Sequence, residues 1–315
     1  MVVDTEEEFD WSRPFSRESV SVTAIDEIGR LQRLTAPYRL KPTYVIDFPV
    51  ATTRSSVDRL QEFVVRNECM IGAHLHPWVN PPYEEPLSRR TSYACNLGSD
   101  LEREKIRLLK DAISAHLAVG VKAYKAGRYG FGPTTATTLE ALDFDVDLSV
   151  NPHMDYTDDG GPSFTALEPM PMFFGRDRML LEIPCTTGFT GIGRHVGQRL
   201  HVMASAAWLE PLRTVGVLAR TGILNKIMLS PETSTLSEMQ ALTRTLYRDG
   251  IRTFALTFHS PSLKPGCTPY VATAQQRDAF LDTIARYLDF FFGSLNGVPS
   301  TPSDLYDALC KGHCS

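Results

Sequence analysis

The sequence predicts a single α/β domain, residues 1–315, organised as a parallel βα barrel. Strand-like and helix-like segments alternate about seven times along the chain, and each apolar strand is followed by a polar residue. No repeat, low-complexity tract or linker divides the sequence. Alternating strands and helices form parallel sheets, and a βα barrel places its active site at the carboxyl ends of its strands.

A doubly wound open sheet is the competing fold, because it is built from the same alternation of strands and helices. Its dinucleotide-binding version carries a Gly-x-Gly-x-x-Gly pattern in the first turn between strand and helix. The first such turn of this chain lacks that pattern. We therefore favour the barrel.

Short apolar runs that end at a polar residue or a turn are expected to form the strands. The first run is very short, and the second is apolar enough to be buried and ends in Asp47. The expected strands are residues 1–4, 42–47, 69–74, 121–126, 144–150, 179–184, 226–230 and 252–258.

Apolar residues that recur at three- and four-residue spacing predict the helices. Val22, Ile25 and Ile28 show this spacing in the first helix, and Ser56 is placed to cap the second. The expected helices are residues 21–34, 54–67, 100–116, a helix beginning at 133, 232–248, 273–293 and 303–310.

Two connections are too long to be simple turns. Residues 77–99 are rich in Pro, Tyr and Arg, and residues 151–178 in Gly, Pro, Asp and aromatic residues. Structureless segments of this length in a compact domain are usually functional, so we expect both loops at the C-terminal face of the barrel. Residues 186–225 combine a Gly- and Arg-bearing loop with mixed helical sequence.

Composition and charge exclude several classes of protein. The formal net charge of −5 and the pI of about 5.9 provide no basic surface for nucleic acid. No apolar run approaches the length of about 20 residues that a membrane span requires. Acidic residues begin at Asp4, where a secretion signal would be basic and then apolar. The expected protein is cytoplasmic, with no membrane span and no nucleic-acid partner.

The six cysteines show no paired Cys-x-x-Cys spacing, so a disulfide framework is not expected. Cys310 and Cys314 could bind a metal together with His313, but a frayed carboxyl-terminal tail is the favoured interpretation.

The stretch from Ile71 to Trp78 carries the strongest chemical signal, two histidines one residue apart after an apolar run. In an extended backbone, residues i and i+2 point to the same side about 7 Å apart, so His74 and His76 can reach one ion. A catalytic divalent metal needs a third ligand and an open position for water. An ordinary surface turn with two histidines is the alternative.

Other polar residues also follow strands, so a barrel brings them to the same face as the histidine pair. They are Asp4, Glu6, Asp47, Arg128 and His259. The acidic run after Asp4 could be a solvated turn, and Asp47 could cap the following loop. Arg128 could form a surface ion pair, and His259 could be a buried core histidine. His153 also follows a strand, and its role stays open.

Together these residue types supply the parts of amide hydrolysis. Two histidines and a carboxylate make a three-ligand site with room for water, the arrangement of hydrolytic zinc enzymes. A second carboxylate can take the proton of that water, and an arginine beside it would keep it ionised near neutral pH. A histidine on the opposite wall can protonate the leaving amine.

Five segments resemble the polysaccharide deacetylase family, the nodulation-type carbohydrate esterases that remove N-acetyl groups from sugars, and in particular its bacterial subgroup associated with polysaccharide biosynthesis. The segments occur in the family's order and run through nearly the whole chain. They are Val2–Trp11, Ile71–Trp78, Lys125–Gly130, Leu148–Val150 and Leu256–Leu263.

The resemblance implies a distorted (β/α)7 barrel and a divalent metal, usually Zn²⁺, held by an aspartate and two histidines. Carried over residue by residue, it implies Asp4 as the catalytic base and His74 as a metal ligand. It also implies Arg128 as the residue that orders the base, and His259 as the general acid.

Two departures from the family's motifs affect the metal ligands. The usual adjacent Asp-Asp pair is here Asp4-x-Glu6, which makes Glu6 the expected acidic ligand. The usual His-x-x-x-His motif is here His74-x-His76, with Trp78 at the position of the second histidine. His76 is therefore the expected second histidine ligand.

The expected activity is metal-dependent removal of an N-acetyl group from an amino sugar or polysaccharide. Two alternatives stay open: hydrolysis of a non-sugar cyclic amide, as in allantoinase-like relatives, and a catalytically inactive carbohydrate-binding barrel. Aromatic residues of the two long loops could stack on sugar rings, although packing within the loops is the favoured interpretation. These residues are Tyr83, Tyr93, Tyr156, Phe164, Phe173 and Phe174.

Overall fold

The structure is a computed structural model that describes residues 1–176, 179–205 and 214–313. Its strands are β1 (Val2–Thr5), β2 (Thr43–Ile46), β3 (Met70–Leu75), β4 (Ala123–Ala126), β5 (Val146–Asp147), β6 (Met172–Phe174), β7 (Leu180–Glu182), β8 (Thr187–Thr190), β9 (Asn225–Met228) and β10 (Thr257–His259). Its α-helices are α1 (Ile28–Thr35), α2 (Phe48–Thr52), α3 (Arg54–Val65), α4 (Ser99–Leu117), α5 (Pro133–Ala141), α6 (Gly197–Ala204), α7 (Thr214–Arg220), α8 (Leu236–Arg248), α9 (Ala274–Leu288) and α10 (Pro302–His313).

Eight strands form one curled sheet in the order β10-β1-β2-β3-β4-β5-β7-β6. Every neighbouring pair is parallel except β6 and β7, which run antiparallel. The predicted α/β fold with a distorted βα barrel is confirmed in this form. The sheet closes only in part, because β8 and β9 pair with each other as a separate antiparallel ribbon.

Single hydrogen bonds continue the wall of the barrel between the end of β9 and β10. The backbone N–H of Leu229 donates to the carbonyl oxygen of Thr186 at 2.8 Å. The N–H of Thr257 donates in turn to the carbonyl oxygen of Leu229 at 3.2 Å. The segment after β9 therefore reaches the same end of the barrel as β10.

Apolar side chains from the strands fill the interior of the barrel below the site. This cluster consists of Val2, Val45, Ala123, Val146, Leu148, Leu181 and Ile183. Successive side chains of a strand alternate between the two faces of a sheet. Asp4 and Lys125 stand two residues after Val2 and Ala123, so their side chains also point into the interior. A larger apolar cluster packs the helices on the outer face of the sheet.

Most observed elements are shorter than the predicted ones, α4 and α10 are longer, and some elements were not expected. β6 and β8 lie in segments predicted as loops, since three- and four-residue strands show too little periodicity to be recognised. The helix predicted at 21–34 begins as a 3-10 turn, Thr23–Glu27, and continues as α1.

The predicted cap of α3 is wrong. The cap position is Thr53, because α2 occupies the residues immediately before it. Ser56 lies within the first turn of α3, where its hydroxyl donates to the carbonyl oxygens of Val50 at 2.7 Å and Thr53 at 2.8 Å.

Among the described helices, none combines the length and the apolar character needed to cross a membrane. The side chain of His313 and the whole of Cys314 lie outside the described residues, so the metal site considered there stays a hypothesis. Cys310 is a free cysteine.

Candidate functional site

Strand register brings three predicted site residues and one further polar residue to the same level at the C-terminal end of the barrel. Asp4 of β1 pairs with His259 of β10, and His74 of β3 pairs with Lys125 of β4. Asp4, His74 and Lys125 are buried, and His259 is about one-fifth exposed at its side chain. Parallel pairing therefore produces the convergence that the sequence predicted.

Glu6, His74 and His76 form a compact set of donor atoms. The Nε2 atoms of both histidines lie 3.3 Å from Oε2 of Glu6, and all three side chains are buried. Two ligands bound tetrahedrally to zinc, each about 2.1 Å from the ion, are about 3.4 Å apart. The spacing of these donors therefore fits a single small divalent ion.

Hydrogen bonds fix the orientation of both imidazole rings. Nδ1–H of His74 can donate to the carbonyl oxygen of Lys125 at 3.1 Å, and Nδ1–H of His76 to Oε2 of Glu7 at 2.7 Å. With Nδ1 occupied, the lone pair of Nε2 faces Glu6 in each ring. Such outer hydrogen bonds are typical of histidines that bind metal.

The protonation states also suit a cation. Burial lowers the pKa of His76, so its ring is neutral near pH 7. Burial alone would raise the pKa of Glu6, but the positive charge of His259 lowers it below its usual value. A neutral imidazole and an ionised carboxylate are the forms that bind metal.

Glu7 supports the site from behind. Its Oε1 accepts a hydrogen bond from the indole N–H of Trp78 at 2.7 Å, and its backbone N–H donates to Oδ2 of Asp47 at 2.7 Å. Oδ1 of Asp47 accepts from the N–H of Val50 at 2.8 Å and caps α2, as the simpler interpretation of Asp47 predicted. Burial raises the pKa of Glu7 to about 8 and that of Asp47 well above its usual value.

Glu7, Asp47 and His76 are a second set of donors close enough to hold an ion. Their oxygens already accept hydrogen bonds from Trp78 and from two backbone N–H groups. Glu7 and Asp47 therefore serve as structural supports, and the set with Glu6 is the one open to a ligand.

Trp78 and Gly127 hold the ring of His76 between them. Trp78 stacks on His76 with ring centroids 4.2 Å apart. A Cβ atom on Gly127 would overlap Cδ2 of His76 and the carbonyl oxygen of Leu75. The Gly127 position therefore admits only glycine while His76 keeps this orientation.

Lys125, and not Arg128, is the cation that contacts Asp4. Its Nζ donates to Oδ1 and Oδ2 of Asp4 at 2.7 Å each, and to Oγ1 of Thr257 at 3.2 Å. Burial alone would raise the pKa of Asp4, but the charge of Lys125 lowers it below its usual value. Asp4 is therefore ionised at neutral pH, as predicted for a base, with a different cation beside it.

Arg128 turns toward the two long loops. Its guanidinium pairs with Asp159 of the second loop and donates to Oγ of Ser92 in the first loop at 2.5 Å. It also lies over the ring of Tyr93, 4.2 Å from the centroid. Arg128 has a positive φ of 55°, and its guanidinium contacts residues of the two long loops and not Asp4. The expected contact between Arg128 and Asp4 is therefore replaced by a link between the loops.

His259 is oriented by a carboxylate that the sequence did not identify. Nδ1–H of His259 donates to Oε2 of Glu232 at 2.8 Å, and its backbone N–H donates to Oε1 at 3.1 Å. Nε2 faces Asp4, 3.9 Å from Oδ2. Burial opposes the charged form, but Glu232 and the other nearby carboxylates raise the pKa of His259 to about 10.

A cavity of about 830 Å³ opens above these residues. Its lining includes Asp4, Glu6, both histidines of the donor set and His259. The walls are rich in aromatic side chains, namely Phe9, Trp11, Phe15, Trp78, Tyr93, Tyr129, Tyr156 and Tyr270. A polar floor beneath an aromatic wall is suited to a ligand that has both polar groups and apolar faces.

The aromatic residues of the long loops divide into two groups. Tyr93 and Tyr156 line the cavity, and Tyr156 also stacks on Tyr129 with centroids 5.2 Å apart. The other four do not line the cavity: Phe164 is buried, Phe173 and Phe174 pack against the two apolar clusters, and Tyr83 is 45% exposed. The sugar-stacking hypothesis therefore concerns only the first group.

Three residues of the site were missed by sequence reasoning, namely Lys125, Glu232 and Glu7. Lys125 stands two residues after an interior position of β4, so the alternation of strand side chains could have identified it. Glu232 follows β9 after a short turn, which is also a strand-end position. Glu7 lies in the acidic run, where nothing in the sequence separates it from its neighbours.

His153, left open by the sequence, lies outside the cavity lining. It is buried, its ring centroid is 5.0 Å from that of Phe189, and its Nε2 is 3.6 Å from Oε2 of Glu168. Within the described residues, His153 is part of the packing between β8 and the second long loop.

Comparisons with known proteins identify the fold. Neither a protein-family model nor a curated protein matches the sequence. A solved structure of a Mycobacterium smegmatis protein, named as a candidate polysaccharide deacetylase, has a TM-score of 0.55 and 12% identity, over 92% of this chain and 79% of that chain. A Pseudomonas aeruginosa protein named in the same provisional way has a TM-score of 0.49 and 13% identity, over 89% of this chain and 71% of that one. On the likeness to the Mycobacterium smegmatis structure, this chain has the fold of a candidate polysaccharide deacetylase, the family that its motifs resemble.

Proposed function

We propose that the protein is a divalent-metal-dependent hydrolase that removes an N-acetyl group from an amino sugar or polysaccharide. One observation carries the proposal. The donor set of Glu6, His74 and His76 faces the cavity directly beside an ionised carboxylate, Asp4, and a charged imidazole, His259. Amide hydrolysis by this route needs a metal site, a base and an acid that can all reach the same amide group.

Two imidazoles and one carboxylate favour zinc, which hydrolytic enzymes bind through three protein ligands with a fourth position left for water or substrate. When bound, such an ion polarises the amide carbonyl and makes a coordinated water more acidic. Glu6, His74 and His76 would hold it, and Glu7 would orient His76 through Nδ1.

In the proposed reaction, Asp4 accepts the proton of the attacking water. Lys125 keeps the carboxylate ionised through two hydrogen bonds of 2.7 Å. Both Asp4 oxygens have further lone pairs, so the contact with Lys125 leaves acceptor positions toward the cavity.

In the proposed reaction, His259 supplies the proton that the departing amine requires. With a pKa of about 10, the ring is an imidazolium near pH 7. Its Nδ1–H is held by Glu232, so Nε2–H is the free donor and faces the cavity. The water oxygen adds to the carbonyl carbon as its proton passes to Asp4. The carbon–nitrogen bond then breaks as His259 protonates the nitrogen, and the products are acetate and an amine.

Acetate release from N-acetylglucosamine oligomers, measured with and without a chelator, tests the proposal. We expect activity that chelation abolishes and zinc restores. His74→Ala should lose both the activity and the bound metal, whereas His116→Ala, the same change at an exposed position of α4, should keep both. Full activity of His74→Ala, or purified protein with no affinity for divalent metals, would contradict the mechanism.

A panel of substrates separates the alternative functions. Hydrolysis of a cyclic amide without acetate release from any amino sugar would indicate an allantoinase-like function. Sugar binding without hydrolysis, in protein shown to be loaded with metal, would indicate the inactive carbohydrate-binding barrel.

A further inference from the structure

The outer surface of α6 and the turn before it carries a concentration of exposed aliphatic side chains. Ile192 is 83% exposed, Met203 67% and Val202 58%. Six of the sixteen large hydrophobic residues that are exposed among the described residues fall within residues 192–217, a small part of the chain. Monomeric proteins rarely leave such apolar groups together in water without an interaction to make.

The exposed positions lie on one side of the helix. Val196, Arg199, Val202 and Met203 are three or four residues apart, and this spacing stacks side chains along one helical face. The opposite side packs on β8, because a Cβ atom on Gly197 would overlap the ring of Phe189. The helix is therefore anchored by its small residues and presents its aliphatic residues outward.

The same segment is basic in an otherwise acidic chain. Residues 192–220 contain four arginines and one glutamate, whereas the whole protein has a net charge of −5. Arg199 and Arg220 are exposed, and Arg194 is paired with Asp249. Aliphatic and cationic groups on one surface are the combination that binds the interface of an anionic bilayer.

We propose that α6, the turn before it and α7, together called the α6–α7 surface, dock the protein on a bilayer that contains anionic lipids. The arginines would contact lipid phosphates, and the aliphatic side chains would enter the boundary between headgroups and acyl chains. A bilayer adapts to the shape of such a surface, so no groove is needed.

Two other partners fit the surface less well. A second copy of the chain would place the same basic face against itself, since a two-fold contact pairs identical patches. Nucleic acid is bound through cationic grooves combined with aromatic stacking, whereas the exposed apolar residues that the structure describes in α6, the turn before it and α7 carry no aromatic ring. The α6–α7 surface does not contribute to the cavity lining among the described residues, so docking leaves the cavity open.

Vesicle flotation with the full chain tests the proposal. One set of vesicles is phosphatidylcholine alone, and the other is an equimolar mixture of phosphatidylcholine and phosphatidylglycerol. We expect binding to the mixed vesicles that weakens as salt screens the arginines, and little binding to phosphatidylcholine alone.

Acidic substitutions on the α6–α7 surface provide the variants. The double variant Val202→Glu, Met203→Glu should reduce the partition coefficient about tenfold or more. The single variant Arg199→Glu should also reduce the partition coefficient, and this reduction should be larger at low salt than at high salt. Val65→Glu is the matched control, because Val65 is 74% exposed on α3, outside the surface. It should bind as the unchanged protein does.

Absence of binding to the mixed vesicles, or equal binding by the double variant and the unchanged protein, would overturn the proposal. A concentration-dependent dimer that the double variant abolishes, without vesicle binding, would assign the surface to a second copy. Acetate release from a soluble substrate should be the same in all variants. Loss of docking is therefore distinguishable from failure of the proposed function.

Discussion

Replacement of Lys125 by methionine tests how Asp4 keeps its charge in the interior of the barrel. Nζ of Lys125 lies 2.7 Å from both carboxylate oxygens, and both side chains are almost fully buried. Methionine retains the apolar stem and removes the ammonium group. It therefore isolates the electrostatic contribution of Lys125.

The expected effects follow from the burial of the pair. Removing one partner of a buried ion pair leaves an uncompensated charge and destabilises a fold by about 3–5 kcal/mol. The carboxyl group of Asp4 avoids this penalty by taking up a proton, so its pKa rises. A protonated Asp4 cannot accept a proton, and loss of a general base lowers kcat by about 10²–10⁴-fold.

The direction of the pH dependence can be derived from the pKa of Asp4. In the unchanged protein that pKa lies below its usual value. The charged pair therefore stabilises the fold above the unfolded pKa of Asp4, and this stability is lost as the pH falls through the folded pKa. In Lys125→Met the acidic limb of kcat/KM should move to higher pH, and part of the activity should return in alkaline buffer.

The assay is acetate release across a pH series, with thermal unfolding of the same samples. Lys125→Arg preserves the positive charge and should retain more activity than Lys125→Met. Lys122→Met is the control, because it removes an ammonium group whose ion pair with Asp143 lies at the surface. An unchanged kcat and an unmoved acidic limb in Lys125→Met would refute the role of Lys125.

Three further predictions concern the residues around the site. Glu232→Gln removes a charge that raises the pKa of His259 to about 10, so the basic limb of the rate profile should move to lower pH. Arg128→Gln removes the link between the two long loops, and KM should rise several-fold with a smaller change in kcat, as measured by initial rates. Glu7→Gln weakens the hydrogen bond that orients His76, and zinc affinity measured by competition with a chelator should fall about 10–100-fold.

Each of these predictions has an outcome that would contradict it. A basic limb that stays in place in Glu232→Gln would mean that another group sets the pKa of the acid. A collapse of kcat at unchanged KM in Arg128→Gln would restore the catalytic role that the sequence motifs implied for Arg128. Unchanged zinc affinity in Glu7→Gln would mean that packing against Trp78 alone holds His76.

The main strands of the fold could be predicted from the sequence because they are buried on both faces. The run before Asp47 and the run before His74 are continuous apolar segments, and the structure places them in the middle of the sheet as β2 and β3. β6 and β8 could not be predicted in this way. β6 is a three-residue strand at the edge of the sheet, paired antiparallel with β7. β8 is a four-residue strand whose only strand partner among the described residues, β9, begins 35 residues later in the chain.

The site shows the same division. Asp4, Glu6, His74, His76 and His259 could be named as candidates because each follows an apolar strand, and parallel strands end together. The structure brings them to one cavity. It also shows which cation contacts which carboxylate, a matter of side-chain direction that strand order does not decide.

By itself, the sequence determined the fold class and the residues that the barrel delivers to its C-terminal face. Apolar periodicity and strand order are local properties that are written in the chain. Only the tertiary structure decided that Lys125 contacts Asp4, that Arg128 joins the two loops, and that Glu232 orients His259. These contacts join residues that are 27 to 121 positions apart along the chain. They depend on distances of a few ångströms, which the spacing of residues along the chain does not predict.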